Sequence, residues 1–156
     1  MSLAQISLRV WFEASRPSLA ARGIRGEYED DCNDRFSSSK IIRLGTEVLP
    51  TMSQAVVHGN TVYTSGMVDR SADDLEGQMQ NVLAKIDAYL EEAGTDKSKL
   101  LTGTVWLKNI ERDFAAMNEV WNEWIDPDNK PVRATTQAAL ASPNLLIEIQ
   151  VTAAKE

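Results

Sequence analysis

From Ile41 onward the spacing of apolar residues switches between two periods. Ile41 to Leu44 is apolar enough for a short strand, and AVVHGNTVYTSGM (Ala55 to Met67) carries two β-rich runs about Gly59-Asn60, a dipeptide suited to a tight hairpin. The period then lengthens. Asp73 or Asp74 offers an N-cap, apolar residues recur at Leu75, Met79, Val82, Leu83, Ile86 and Leu90, and Gly94 supplies the stop, so a helix is predicted between them. LLTGTVWL (Leu100 to Leu107) returns to strand composition. Asp113 is expected to cap a second helix, with Phe114, Met117, Trp121, Trp124 and Ile125 as its buried stripe and Asp126-Pro127 as its end. Two more strands flank Ser142-Pro143-Asn144.

Each helix has a single apolar stripe, so the pattern predicts an α+β domain: one mixed sheet with both helices on one face and the other face uncovered by this chain. If the last two strands pair as a hairpin across Ala141–Asn144, Leu140 faces Leu145. Alternation then puts Ala134, Thr136, Ala138 and Leu140 with Leu145, Ile147, Ile149 and Val151 beneath the helices. The open face would carry Arg133, Thr135, Gln137, Glu148, Gln150 and Thr152. In that register Arg133 lies opposite Thr152, roughly 13 Å along the strand from Glu148, too far for an ion pair within the hairpin.

Composition narrows the class. Among 156 residues, 25% are charged and 43% hydrophobic, and no apolar run approaches the roughly 20 residues that span a bilayer, so no membrane partner is expected. The lone cysteine, Cys32, cannot close a disulfide within the chain and has no ligand cluster about it that would suggest a metal site, and a reducing, cytoplasmic setting fits. The net charge of -7 comes wholly from residues 41–156, whose surface would repel a phosphate backbone and argues against nucleic acid as a partner. Residues 1–40 have no sustained period and read as an N-terminal extension of unknown role ahead of a domain at 41–156. The first 26 hold four arginines against one acid, which leaves organellar targeting open beside the simpler reading of an inert extension.

Two charges in the C-terminal strands are the candidate chemistry. Arg133 opens one strand, and Glu148 sits between isoleucines in the other. They form either a solvated polar face or the lining of a cleft between subunits. In the second case the planar guanidinium would grip a carboxylate and the glutamate would orient or deprotonate a water. The other features read more simply. His58, beside the hairpin turn, is a solvated turn residue; Trp106, Trp121 and Trp124 are core or interface; Glu91-Glu92 is a solvated helix end.

From about Ile41 to the C-terminus the chain resembles the Rid family (RidA/YjgF), the reactive intermediate deaminases. The resemblance rests on MSQAVVHGNTVYTSGMV, the DFAAMNEVW helix opening, Pro131-Val132-Arg133-Ala134, and Ile147-Glu148-Ile149 fifteen residues beyond the arginine. It implies a chorismate-mutase-like homotrimer, sheets inward and helices outward, with a pocket at each subunit interface. It also implies cofactor-free hydrolysis of enamines and imines, such as 2-aminoacrylate and other 2-imino acids, to 2-keto acids and ammonia. Carried over, Arg133 binds the substrate carboxylate and Glu148 positions water. Ser65 and Gly66 contribute backbone contacts, and Asn118 and Trp124 shape the pocket. The family's tyrosine before Ser-Gln is Met52 here, and the residue after Ser-Gly, often glutamine, is Met67. Those changes read either as a branch preferring bulkier or less polar imino acids or as ordinary packing. A non-catalytic trimer binding a small carboxylate is the alternative function.

Overall fold

The computed structural model describes residues 40–156. The readings of Cys32 and of the leader-like composition lie outside the described residues. Six strands form one mixed sheet: β1 (Ile42–Leu44), β2 (Ala55–His58), β3 (Thr61–Thr64), β4 (Leu100–Leu107), β5 (Val132–Gln137) and β6 (Ile147–Ala154). Two helices, α1 (Leu75–Ala93) and α2 (Ile110–Trp124), pack on it. Across the sheet the order is β1-β2-β3-β6-β4-β5.

The hairpin forms as its composition dictates. Val57 faces Val62, His58 faces Thr61, and Gly59 takes the φ of 58° that a side chain would resist. In α1, Asp74 is the cap, its Oδ1 accepting from the Gly77 N–H at 2.8 Å. Gly94 (φ 80°) and Thr95 return their N–H groups to Glu91 and Leu90, closing the far end. The predicted stripe is buried from Met79 to Leu90, with Leu75 half-buried at its start, and Gln78 joins it with 1% of its surface exposed. Its amide is fully used: Nε2 donates to the Ala72 and Asn144 carbonyls at 3.0 and 2.8 Å, and Oε1 accepts from the Leu146 N–H at 2.9 Å. A polar side chain inside the stripe thereby anchors the loop leading into β6.

Two expectations about the C-terminal strands are overturned. The last two strands form no hairpin, because β4 lies between them, antiparallel to β6 and parallel to β5. α2 carries the chain from β4 to β5, and burying its apolar face against the sheet brings β5 back beside β4; residues 138–146 then cross to β6. Alternation alone assigns faces relative to a partner, and with a different partner β5 turns over. Arg133, Thr135 and Gln137 pair with Gly103, Val105 and Leu107 and share the helix side with them, while Ala134 and Thr136 face outward. The β6 assignment stands: Ile147, Ile149 and Val151 are buried beneath the helices, leaving Glu148 and Thr152 on the open face.

The second helix also begins earlier than expected. Asn109 is its cap, its Oδ1 accepting from the Arg112 N–H at 3.0 Å. Asp113 is instead a buried first-turn residue, receiving two bonds from the Arg112 guanidinium at 2.6 and 2.8 Å. An acid in the first turn suits the helix dipole as well as a cap does, which is why composition did not separate the two positions. Starting the helix at Ile110 leaves Phe114 42% exposed, outside the stripe, while Met117 and Trp121 are buried. No described helix is long and apolar enough to cross a membrane.

Candidate active site

Arg133 lies on the edge strand β5, opposite Gly103 of β4. A Cβ on Gly103 would come within 2.8 Å of the Trp121 ring and 3.8 Å of Arg133 Cγ, so the bare backbone there makes room for both side chains. The guanidinium carbon lies 5.1 Å from the centre of the Trp121 ring, and Nη2 donates to Asn118 Oδ1 at 2.5 Å. Asn118 and Trp121 are three apart on α2 and therefore share one helix face. Burial pulls the Arg133 guanidinium below its ordinary pKa, though not far enough to discharge an arginine. Among the described residues no carboxylate pairs with it. Thr135, two residues on and on the same face, has a buried hydroxyl with no hydrogen-bond partner among the described residues.

Trp124 stands one step away. It meets Trp121 edge-on with centroids 5.3 Å apart, and its Nε1 donates to Asp87 Oδ2 at 2.9 Å, tying α2 to α1. The ring under the arginine is thus Trp121, which the sequence read as a core or interface residue and not as part of the site. Its spacing from Asn118 is visible in the chain, but nothing local marks Arg133 as the group above it.

Glu148 belongs to a second cluster. β3 leaves the ladder after Thr64, and Met67 rejoins it, exchanging backbone bonds with Ile149 at 2.8 and 3.1 Å. Ser65 and Gly66 form the bulge between. Thr64 fills the gap, its hydroxyl accepting from the Val151 N–H at 2.9 Å and donating to that residue's carbonyl at 3.2 Å. A Cβ on Gly66 would collide with Glu148 Oε1, so glycine is what lets the carboxylate rest against the bulge. The Ser65 hydroxyl is buried and has no partner among the described residues.

Behind Gly66 opens a cleft of about 380 Å³, walled by Val48, Leu49, Met52 and Met67 and backed by Lys85 and Tyr89 of α1. Met67 is 3% exposed and packs in the core, whereas Met52 is 43% exposed on the rim. Beside it, burial disfavours ionised Asp69, but bonds from the Asn81 and Ser71 side chains and from the Ser71 and Ala72 N–H groups outweigh that and hold its pKa well below the usual carboxylate range. Asp69 also receives Lys85 Nζ at 3.2 Å.

The two clusters do not meet within one chain. Arg133 reaches β6 through Gly103 at Val151, three residues from Glu148 and two strand spacings away, which puts the two Cα atoms roughly 14 Å apart. Their side chains leave opposite faces of the sheet: Arg133 toward α2, and Glu148 beside its cross-strand partner Trp106 on the open face. His58 is exposed at the hairpin end of β2. Among the described residues no group of three or more His, Cys, Asp or Glu side chains could hold a metal ion.

Comparison with known proteins places these features. The family model described as Endoribonuclease L-PSP matches residues 46–155. The RutC family protein YoaB of Escherichia coli K12 is 40% identical over 114 residues, covering 73% of this chain and 97% of that relative. A RutC family protein of Haemophilus ducreyi is 42% identical over 110 residues, covering 69% and 92%. Among solved structures, NMB1025 of Neisseria meningitidis, a YjgF family member, superposes with a TM-score of 0.72 at 36% identity over 76% of this chain and 98% of its own. The family-model match takes in strands β2 to β6, both helices and the residues Arg133 and Glu148, and so this chain belongs to the Rid family of YjgF and RutC proteins.

Proposed function

We propose that the protein is a cofactor-free deaminase that hydrolyses 2-imino acids, including the imine tautomer of 2-aminoacrylate, to 2-keto acids and ammonia in a cytoplasmic setting. The observation that carries this reading is Arg133: a partly buried guanidinium, pinned by Asn118 over an aromatic ring, with no carboxylate of its own among the described residues. Desolvating a cation without a counter-ion is unfavourable, and an incoming carboxylate offsets that penalty with two parallel hydrogen bonds.

Glu148 supplies the other half. A protonated imine carbon is already electrophilic, so the protein needs chiefly to align water. As the water oxygen bonds to that carbon, Glu148 takes its proton and passes it to the nitrogen; the carboxylate then takes the hydroxyl proton of the resulting carbinolamine as its C–N bond breaks, leaving keto acid and ammonia, to which that proton passes. Because the two groups leave opposite faces of one sheet, the reading requires a second copy to bring its Arg133 to this chain's Glu148. A homotrimer would do this if the β5 edge of one copy, which carries Arg133, met the open sheet face of the next. Ser65 and Gly66 would contact substrate beside Glu148, with Met52 at the rim; Asn118 and Trp121 would hold the arginine, and Trp124 would brace Trp121.

The test is imine hydrolysis. Imines generated from amino acids by an amino-acid oxidase are trapped with semicarbazide, and the wild type should compete with the trap while Arg133→Ala should not. A non-catalytic carboxylate-binding trimer would instead bind 2-keto acids through Arg133 without accelerating any imine. Binding of RNA at low salt, lost steeply as salt rises, would favour the activity named in the family description over either reading; ten basic against seventeen acidic residues after residue 40 stand against it.

A further inference from the structure

Of the three tryptophans among the described residues, two carry a cation of the protein over the ring: Arg133 at 5.1 Å from the centre of Trp121, and Lys97 Nζ at 5.8 Å from that of Trp124. Trp106 carries none among the described residues. Its neighbours on β4, Val105 and Leu107, are fully buried beneath the helices, so alternation turns the indole to the open face, where it is half-buried. Lys108, two residues on, donates instead to the Pro143 carbonyl at 2.5 Å.

What stands beside this ring is Glu148. The two are direct partners in the antiparallel pairing of β4 with β6, which sets their Cβ atoms about 4.5–5.5 Å apart on one face. Because β6 runs between β3 and β4, the carboxylate has the Gly66 bulge on one side and the indole on the other. A carboxylate and the electron-rich face of an indole both carry negative potential. Side by side, they are complementary to a positive charge set between them.

Resting on the deaminase reading, we propose that Trp106 and Glu148 form the seat for the positively charged nitrogen of the substrate, with the indole face holding it through a cation–π contact. That nitrogen is charged twice in the reaction: in the protonated imine that water attacks, and in the ammonium group of the carbinolamine whose C–N bond breaks. Both times it must lie within proton-transfer reach of Glu148, roughly 3 Å. The cross-strand spacing brings such a point within the ~6 Å of the neighbouring ring centre over which a cation is attracted. The 2-keto acid product carries no such charge, so the seat selects substrate over product.

The test uses a matched pair of ligands. Alanine and isobutyrate share a carboxylate and a shape, and differ in an ammonium group standing where the other has a methyl. Titrating the wild type and Trp106→Leu with each gives a ratio of affinities in which the carboxylate and packing contributions cancel. Trp106→Leu should cut the preference for alanine by ~5- to 30-fold, the span from a partly exposed to a desolvated cation–π contact, and Trp106→Phe, which keeps a weaker ring, by less. In the same variants kcat/KM for the alanine imine should fall in the same order, with pyruvate binding far less affected. Should Trp106→Leu fail to fold, 5-fluorotryptophan placed at position 106 alone weakens the ring face at nearly constant packing and must lower the same ratio. A ratio untouched by either change, or binding of neither ligand, would overturn the seat, while imine hydrolysis lost in Arg133→Ala would still uphold the deaminase. If no imine is accelerated at all, the deaminase reading fails; a preference for alanine that falls in Trp106→Leu then upholds the seat, and one that does not fall overturns it.

Discussion

Gly66→Ala separates the chemistry of the bulge from its stability. The added Cβ would collide with Glu148 Oε1, and the next contacts, Glu148 Cδ and Cγ, lie at 3.0 and 3.3 Å. All three atoms belong to one flexible side chain, so the clash is relieved by rotating Glu148 away and leaves the backbone untouched. Gly66 is not among the glycines with positive φ, Gly45, Gly59 and Gly94, so alanine brings no left-handed strain. Restricting the unfolded chain favours alanine by about 0.4–1 kcal/mol, which offsets much of the rotamer change, and the folding free energy should move by less than ~1 kcal/mol. Activity should respond differently. Moving the carboxylate by about 1 Å from the water it aligns costs on the order of a hundredfold in rate. The assay pairs a thermal melt with the imine-trapping measurement: an unchanged melt with kcat down ~100-fold, and KM little altered because Arg133 is intact, is the expected result. Full activity at an unchanged melting temperature would show that Glu148 does not act from where it rests against Gly66, and the proposed role of that carboxylate would fall.

Other perturbations probe the remaining links. Arg133→Lys keeps the charge but loses the planar fork that Asn118 and Trp121 position, so KM for the imine should rise at least tenfold; an unchanged KM would show that charge alone suffices. Gln78→Leu leaves the Leu146 N–H and two carbonyls without their partner, and denaturant unfolding should show a loss of roughly 2–4 kcal/mol. Asp69→Asn should be less stable than the wild type at neutral pH. Because folding depresses the Asp69 pKa, the wild-type advantage is present above the ordinary carboxylate range, near 4, and shrinks as pH falls below it toward the folded value; a gap that widened in acid would contradict the assignment. Sedimentation of the wild type should give three times the chain mass, and a stable monomer with full activity would refute a site completed by a second copy.

How much of this could be read from the chain depends on how local the signal is. The ends of α1 were legible because Asp74 and Gly94 act on their own neighbours through the cap and the left-handed turn. The β2–β3 hairpin was legible because Gly59 and its flanking runs lie within ten residues. The motifs carrying the family likeness are short segments as well, and they survive any rearrangement of strand order. The position of α2's cap was ambiguous because Asn109 and Asp113 suit a helix start for different reasons, one through its bond to Arg112 and the other through the dipole.

Alternation along β5 and β6 settled which residues share a face within each strand, and burial of Ile147, Ile149 and Val151 agrees with it. It could not settle the partner. β4 enters between the two strands because α2 must bury Met117 and Trp121 against the sheet, a demand made by residues well before β5. That insertion turned Arg133 to the helix side, gave it Asn118 and Trp121 as neighbours, and carried it to the face opposite Glu148. The chain alone determined which groups could do chemistry, since residue type and local motif are properties of sequence. Which of those groups stand together was decided only by the tertiary structure, because strand pairing is a contest among distant segments for buried surface.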